Sequence, residues 1–133
     1  MKILKLSNKR ILITGGSGFV GSYLVENLVK NNKICIVDNE YRGSNFDYLE
    51  KNNSKSFQKN LTFERLDIVD KQKLSDSFSK FKPDIVFHLA GIAGVKTVLN
   101  DPLKVINVNL IGSYNLAEIA SKSKYVKKII YSS

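Results

Sequence analysis

The stretch Thr14-Gly15-Gly16-Ser17-Gly18-Phe19-Val20-Gly21 decides the fold of this chain. It follows the apolar run Arg10–Thr14, which predicts a buried strand, and it opens the helical pattern of Phe19–Asn31. The first glycine allows a tight turn, the second lets the main chain approach a phosphate, and the third allows close helix packing. Free amides at a helix N-terminus attract anions. Because a strand and a helix flank it, the stretch predicts a dinucleotide-binding turn rather than a simple chain reversal.

Further strand and helix patterns alternate along the chain. The expected strands are Arg10–Thr14, Lys33–Asp38, Leu61–Asp67, Asp84–Ala90 and Lys127–Tyr131, and the expected helices are Phe19–Asn31, Lys71–Phe81 and Leu103–Ser121. We expect Leu61–Asp67 at the sheet edge and Asn39–Asn60 as a long irregular segment. Alternating strands and helices require right-handed crossovers, so the prediction is an α/β Rossmann fold, a doubly wound parallel sheet with helices on both faces.

Length and composition favour one folded domain. A chain of 133 residues with 43% hydrophobic residues can bury a single core. No apolar run reaches the roughly 20 residues of a membrane span, and the charged opening is too short for a signal peptide, so we expect a cytoplasmic protein. One cysteine and one histidine supply no zinc ligand set. The cysteine, Cys35, lies in an apolar run and is expected in the core.

The formal charge of +9 allows two interpretations. Excess positive charge attracts nucleic acid or an anionic membrane. The lysines, however, are scattered among asparagines and serines, and the same charge suits an anionic cofactor or substrate. We therefore expect no nucleic-acid partner and no membrane partner.

Asp38 stands at the end of the second strand, seventeen residues beyond Gly21. A carboxylate there accepts hydrogen bonds from the adenosine ribose and repels a 2′-phosphate, which favours NAD over NADP. The nearby Arg42 weakens this discrimination. The alternative is that Asp38 only caps the turn after the strand.

Several motifs then follow in a fixed order. They are Asp38-Asn39, Asp67-Ile68, His88-Leu89-Ala90-Gly91, and Asn109 to Asn115 with Gly112 between them. Together with the glycine turn they resemble the extended short-chain dehydrogenase/reductase family of NAD-dependent epimerases and dehydratases, and most of all the N-terminal half of UDP-sugar 4-epimerases. The resemblance covers essentially the whole chain.

The resemblance implies that these motifs hold NAD. Asp38 binds the ribose, Asp67 binds the adenine amino group, and Asn109 faces the cofactor from its helix. For Asp67 the alternative is a helix-capping signal near Asp70, and His88 is expected to pack in the sheet rather than to act in catalysis. The predicted cofactor-binding residues are Gly15, Gly18, Phe19, Val20, Gly21, Asp38, Asn39, Arg42, Gly43, Asp67, Ile68, Leu89, Ala90, Gly91, Ala93, Asn109 and Ser132.

The same resemblance implies a nucleotide-sugar substrate and transient hydride transfer to the cofactor. In the loop Ile92–Lys96, Lys96 either meets a substrate phosphate or is solvated. The family's catalytic Tyr-x-x-x-Lys pair is missing, since none of the six tyrosines is followed four residues later by lysine. Tyr131-Ser132-Ser133 resembles the end of the fifth strand, with the catalytic Ser or Thr expected at the next position.

We therefore expect residues 1–133 to be an incomplete NAD(P)-binding Rossmann domain, truncated after the fifth strand, that lacks the catalytic helix and the substrate lobe. The expected function is the NAD-binding portion of a nucleotide-sugar epimerase or dehydratase, whose full-length form is a homodimer. The alternative is a stand-alone dinucleotide-binding or sensor module without catalytic activity.

Overall fold

A five-stranded parallel sheet forms the centre of the molecule. The computed structural model describes residues 6–51 and 55–132, so the opening residues and Ser133 lie outside the described part. The strands are β1 (Arg10–Thr14), β2 (Lys33–Asp38), β3 (Leu61–Arg65), β4 (Ile85–His88) and β5 (Lys128–Tyr131). Their order in the sheet is β3-β2-β1-β4-β5, which confirms the doubly wound Rossmann fold and the edge position of β3.

The helices divide between the two faces of the sheet. They are α1 (Phe19–Leu28), α2 (Phe46–Lys51), α3 (Lys55–Asn60), α4 (Lys71–Phe81), α5 (Val95–Asn100), α6 (Pro102–Ile106) and α7 (Ser113–Lys122), with a π-helical segment, Asn107–Gly112, between the last two. Because side chains alternate along a strand, Ile13 packs with the core under α1 to α3, and Leu12 packs with the core under α4 and α7.

The segment Asn39–Asn60, expected to be irregular, contains two short helices instead. Leu49 of α2 and Phe57 of α3 are buried against the same core as Val25 of α1. The sequence shows only isolated apolar residues in this polar stretch, too few for a helical period. Tertiary burial of those two side chains stabilises helices that are too short to form alone.

Two other helix boundaries differ from the sequence prediction. Helix α1 ends at Leu28 rather than Asn31, because the side-chain amide of Asn32 donates to the Leu28 carbonyl at 2.8 Å and ends the helix. The helix predicted at Leu103–Ser121 begins at Pro102, where the Asp101 side chain accepts from the Lys104 amide. Its middle is the wider π-helical segment, a feature that hydrophobic spacing does not reveal.

Cys35 lies at the centre of β2, fully buried in the core. Burial raises the pKa of its thiol to about 12. Cys35 is therefore a core side chain, as the sequence predicts, and its reactive thiolate does not form near neutral pH. Within the part of the chain that the structure describes, no helix is both long and apolar enough to cross a membrane.

Candidate functional site

A cleft of about 490 Å³ opens at the carboxyl ends of the strands. It lies where the strand order reverses, with β2 on one side of β1 and β4 on the other, which is where open α/β sheets bind ligands. Its lining comes from the loops after β1, β2, β3 and β4, from the start of α1, and from the long helix that α6, the π-helical segment and α7 form together. The lining residues are Gly15, Gly18, Phe19, Val20, Gly21, Val37, Asp38, Asn39, Tyr41, Arg42, Gly43, Leu66, Asp67, Ile68, Leu89, Ala90, Gly91, Ile92, Lys104 and Val108.

The glycine turn is packed too tightly for side chains. Gly15 has φ +70°, and a Cβ on it would lie 2.7 Å from the Ala90 nitrogen. A Cβ on Gly21 would collide with the Gly15 carbonyl and lie 2.6 Å from the Gly16 Cα. The third glycine therefore packs helix α1 against the turn itself. Helix α1 has no side-chain cap and no acid in its first turn, which leaves its N-terminus open to an anion.

Asp38 connects the glycine turn to the loop after β2. One carboxylate oxygen accepts from the Ser17 amide at 3.1 Å and the other from the Glu40 amide at 2.8 Å. A carboxylate offers about four lone-pair sites, so each oxygen keeps capacity for a further donor. Asp38 therefore caps the local turn and still presents acceptor capacity to the cleft. The turn cap is therefore present, and ribose binding by Asp38 stays a prediction.

Hydrogen bonds to Asp67 hold the side of the cleft that is formed by the loops after β2 and β3. The Asn39 amide donates to Asp67 at 2.8 Å, and Asp67 also accepts from the Val69 amide at 3.0 Å. The helix cap predicted nearby is made by Asp70, which accepts from the Lys73 amide. Asp67 is thus a turn-forming carboxylate at the cleft, distinct from the cap of α4.

The position of Ile68, in the loop after β3, depends on α7 and the π-helical segment. Asn115, buried in α7, donates to the carbonyls of Ile68 and Val69 at 3.2 and 3.1 Å. Gly112 leaves room for Ile68, whose Cδ1 would lie 2.5 Å from a Cβ at that position. Gly112 and Asn115, two residues of the motif Asn109 to Asn115, therefore fix the position of Ile68.

The rim after β4 is fixed by Asn109. Its side-chain oxygen accepts from the Ile92 amide at 2.7 Å, and its side-chain nitrogen donates to the Ile92 carbonyl at 2.8 Å. The amide predicted to face the cofactor is thus engaged with the loop. Ala93 accepts a hydrogen bond from Arg42 at 2.8 Å, and Lys96 is exposed on α5.

The structure brings together most of the residues that the sequence singles out. Ala93, Asn109 and Ser132 are the ones outside the cleft lining; Ser132 is exposed, and its amide donates to the His88 carbonyl. Sequence reasoning missed six lining residues. Leu66, Ile92, Val37 and Val108 resemble ordinary core positions, and Tyr41 and Lys104 resemble ordinary surface positions, so no local signal identifies them.

A buried histidine joins three elements beneath the cleft. His88 is 2% exposed, and its Nδ1 lies 2.6 Å from the Thr14 hydroxyl while its Nε2 lies 2.8 Å from the Ser113 hydroxyl. The Thr14 oxygen accepts from the Ala90 amide, which leaves its own proton for Nδ1. We infer a neutral imidazole that carries its proton on Nε2 and ties β1, β4 and α7 together.

Burial lowers the pKa of His88 below its usual value of 6.5. The unfolded chain therefore binds a proton near pH 6.5 that the folded chain accepts only at lower pH. Stability is fully present above pH 6.5 and is expected to fall as pH decreases below it, with a slope of at most about 1.4 kcal/mol per pH unit for one proton. Urea unfolding at several pH values between 7.5 and 5 measures this slope.

The control for this slope is His88→Gln, which removes the chain's one histidine. The variant is expected to be less stable at pH 7.5 but to lose the decline just below pH 6.5. Glu118 keeps its charge in this window, because hydrogen bonds from Lys122 and Lys71 lower its pKa to about 2. An unchanged slope in the variant would assign the decline to other groups.

Among residues 6–51 and 55–132, the structure contains no cluster of histidine, cysteine and acidic side chains that could hold a metal ion. The cleft is lined by main-chain amides, two carboxylates, two cationic side chains (Arg42 and Lys104) and an apolar wall. Such a lining suits a ligand with phosphates at one end and an aromatic ring at the other.

The sequence profile of the GDP-mannose 4,6 dehydratase family matches residues 12–133. The chain belongs to this family. It is therefore a member of the extended short-chain dehydrogenase/reductase group of epimerases and dehydratases, which confirms the resemblance stated above.

Known relatives and solved structures agree with this assignment. The UDP-N-acetyl-alpha-D-glucosaminuronate decarboxylase of Bacillus cytotoxicus is 39% identical over 94% of this chain and 36% of the relative. A UDP-N-acetylglucosamine 4-epimerase from Methanobrevibacter ruminantium, in complex with UDP-N-acetylmuramic acid, superposes with a TM-score of 0.81 at 32% identity, over 96% of this chain and 38% of its own.

The UDP-glucose 4-epimerase of Thermus thermophilus, in complex with NAD, superposes with a TM-score of 0.74 at 34% identity, over 89% of this chain and 35% of its own. The chain thus spans little more than a third of the length of these relatives, and it matches their N-terminal part.

Proposed function

We propose that residues 1–133 are the NAD-binding Rossmann domain of a nucleotide-sugar epimerase or dehydratase. The observation that carries the proposal is the cleft at the reversal of strand order, with an uncapped helix N-terminus at one point and the Asp38 carboxylate at another. A dinucleotide needs both, an anion site for its pyrophosphate and an acceptor for its ribose hydroxyls.

The pyrophosphate is proposed to lie over the glycine turn. The N-terminus of α1 points its amides and its positive dipole end into the cleft, where Gly15 and Gly18 carry no side chains that would obstruct the phosphates. Phe19 and Val20 are exposed in the first turn of the helix and border this position. Their main-chain amides are the donors that we assign to the phosphates.

The adenosine is proposed to lie between the loops after β2 and β3. Asp38 accepts from the ribose hydroxyls, Asp67 accepts from the adenine amino group, and Ile68 packs on the ring, with Asn39, Arg42 and Gly43 alongside. NAD is favoured over NADP, because the Asp38 charge repels a 2′-phosphate. The Arg42 guanidinium, which donates to Ala93 on the opposite rim, keeps its positive charge and weakens this preference.

The nicotinamide end is proposed to lie along the loop after β4. Leu89, Ala90 and Gly91 present a small, mostly apolar surface to it, and Asn109 acts by holding this loop in place. Ala93 and Ser132 are assigned to the same end. Bound NAD supplies transient hydride acceptance from the sugar, and this chain's own residues bind and orient it.

The catalytic residues are a separate matter. The tyrosine base of the family requires a lysine four residues later to lower its pKa, and none of the six tyrosines here has one. We therefore assign the residues of this sequence to cofactor binding. The second candidate function is a dinucleotide-binding or sensor module without turnover.

We also propose a nucleotide-sugar partner and a homodimer. Leu103, Ile106, Leu110, Ile111 and Tyr114 are exposed on the long helix, a row of apolar side chains that a second copy could cover. Nucleic acid and membranes are not proposed as partners, and the proposed compartment is the cytoplasm.

Calorimetric titration of the protein with NAD and with NADP tests the proposed function. We expect NAD to bind at least about tenfold more tightly, since placing like charges together costs several kcal/mol. Failure of a folded protein to bind NAD would contradict the proposal. Both candidates require NAD binding, so this titration tests the cofactor site that they share.

A further inference from the structure

Two rims border the mouth of the dinucleotide cleft. One is the turn after β2, where Tyr41 and Arg42 are exposed, and the other is formed by the loop after β4 and by α6. Both rims contribute to the cleft lining through Tyr41 and Arg42 on one side and Gly91 and Lys104 on the other. Any contact between the rims therefore crosses the opening.

The structure contains two such contacts. The Lys104 ammonium lies 3.6 Å from the centroid of the Tyr41 ring, well inside the distance at which a cation and an aromatic face attract each other. Next to it, Arg42 Nη1 donates to the Ala93 carbonyl at 2.8 Å. Both contacts join groups of the chain itself, so the two rims hold each other directly.

The turn that carries Tyr41 is fixed at its base and protrudes at its tip. The Gly43 amide donates to the Glu40 carbonyl at 3.0 Å, and the Tyr41 amide donates to Asn39 at 3.1 Å. Glu40 forms an ion pair with Arg65 of β3. A Cβ on Gly43 would meet nothing within 4 Å, so open space surrounds this end of the turn. The tip can therefore leave the opposite rim while the base stays in place.

We propose that Tyr41 and Lys104, assisted by Arg42 and Ala93, form a clasp that must open for the dinucleotide to enter or leave the cleft. This inference rests on the proposed function, because it assigns a gate to the proposed NAD site. It identifies Lys104 and Tyr41 as positioning residues that control exchange of the cofactor. They do so through the contact that they make with each other.

A gate has a kinetic signature that a ligand contact lacks. Weakening it accelerates entry and release together and leaves their ratio, the dissociation constant, unchanged. A cation–π pair at an exposed site contributes about 0.5–1 kcal/mol, which corresponds to about a two- to fivefold change in each rate. Removing the ring or the charge is therefore expected to raise both rates by this factor.

The experiment uses NADH fluorescence in a stopped-flow instrument. Mixing NADH with the protein gives the association rate, and chasing the NADH complex with excess NAD gives the dissociation rate. Tyr41→Ala and Lys104→Met remove the ring and the charge, while Tyr41→Phe keeps the ring and is expected to match the unmodified protein. Circular dichroism verifies that each variant is folded, and since both side chains lie at the surface, their loss should not perturb the core.

The double variant Tyr41→Ala/Lys104→Met gives the decisive comparison. If the two residues act as one clasp, it is no faster than the faster single variant, because the second substitution has no contact left to break. Additive effects, faster release without faster entry, or unchanged rates would each overturn the clasp. If the unmodified protein binds no NADH, the proposed function fails and the clasp fails with it; binding with unaltered rates overturns the clasp alone.

Discussion

Replacing Gly21 with alanine is expected to reduce NAD binding below detection and to lower the free energy of unfolding. The added Cβ would collide with the Gly15 carbonyl and lie 2.6 and 2.9 Å from Gly16 Cα and carbonyl carbon, all of them main-chain atoms without a rotamer that could relieve the collision. Helix α1 must move away from the turn, which displaces the amides assigned to the pyrophosphate. Overpacking of this kind costs about 1–3 kcal/mol.

Urea unfolding and NAD titration of Gly21→Ala measure both effects. Gly91→Ala is the matched control for stability, because Gly91 lies at the same cleft but a Cβ there would meet only the Asn109 side-chain oxygen, at 3.4 Å. Its free energy of unfolding is expected to stay within about 0.5 kcal/mol of the unmodified protein. Unaltered NAD affinity in Gly21→Ala would show that the turn does not hold the phosphates.

The strands and the glycine turn could be predicted because their signals are local. A buried parallel strand requires a continuous apolar run, and β1 and β2 have the bounds that such runs predict. The edge position of β3 also follows from its pattern, since the apolar Leu61 and Phe63 are each followed by a polar residue. A strand covered on both faces would not tolerate that alternation.

The helices after β2 could not be predicted, because their stability is not local. Leu49 and Phe57 become buried only when the chain folds onto α1, so neither leaves a periodic pattern in the sequence. The π-helical segment also could not be predicted from the sequence. It places Val108 and Gly112 toward the core and Asn109 toward the loop after β4, and this spacing does not distinguish it from an α-helix.

The residues of the candidate site show the same difference between local and non-local signals. Residues that meet a ligand through the main chain or a carboxylate, such as Gly15 and Asp38, occupy motif positions that the sequence displays. Residues that act through a partner far away in the sequence do not. Tyr41 and Lys104 form their pair across more than sixty positions, and His88 reaches Thr14 across seventy-four. Only the folded chain shows these pairs.

Replacing Asp38 with alanine is expected to weaken NAD binding by about 10- to 100-fold, because hydrogen bonds to a charged group contribute about 1.5–3 kcal/mol. NADP binding is expected to fall less, since the same change removes the repulsion of its 2′-phosphate. The ratio of the two affinities therefore moves toward NADP. Asp38→Asn keeps an acceptor but loses the charge, and its NAD affinity should lie between those of the alanine variant and the unmodified protein.

Asp38 also supports the turn after β2, so the measurement must separate its binding of the cofactor from its support of that turn. Asp84 supplies the matched control, because its carboxylate accepts from the Arg10 amide at 2.8 Å at the amino ends of β1 and β4, away from the cleft. Asp84→Ala loses a comparable main-chain contact far from the cleft, and its preference for NAD should be unchanged. Equal losses of NAD and NADP affinity in Asp38→Ala would mean that Asp38 acts only through Ser17 and Glu40, because a ribose acceptor must discriminate between the two cofactors.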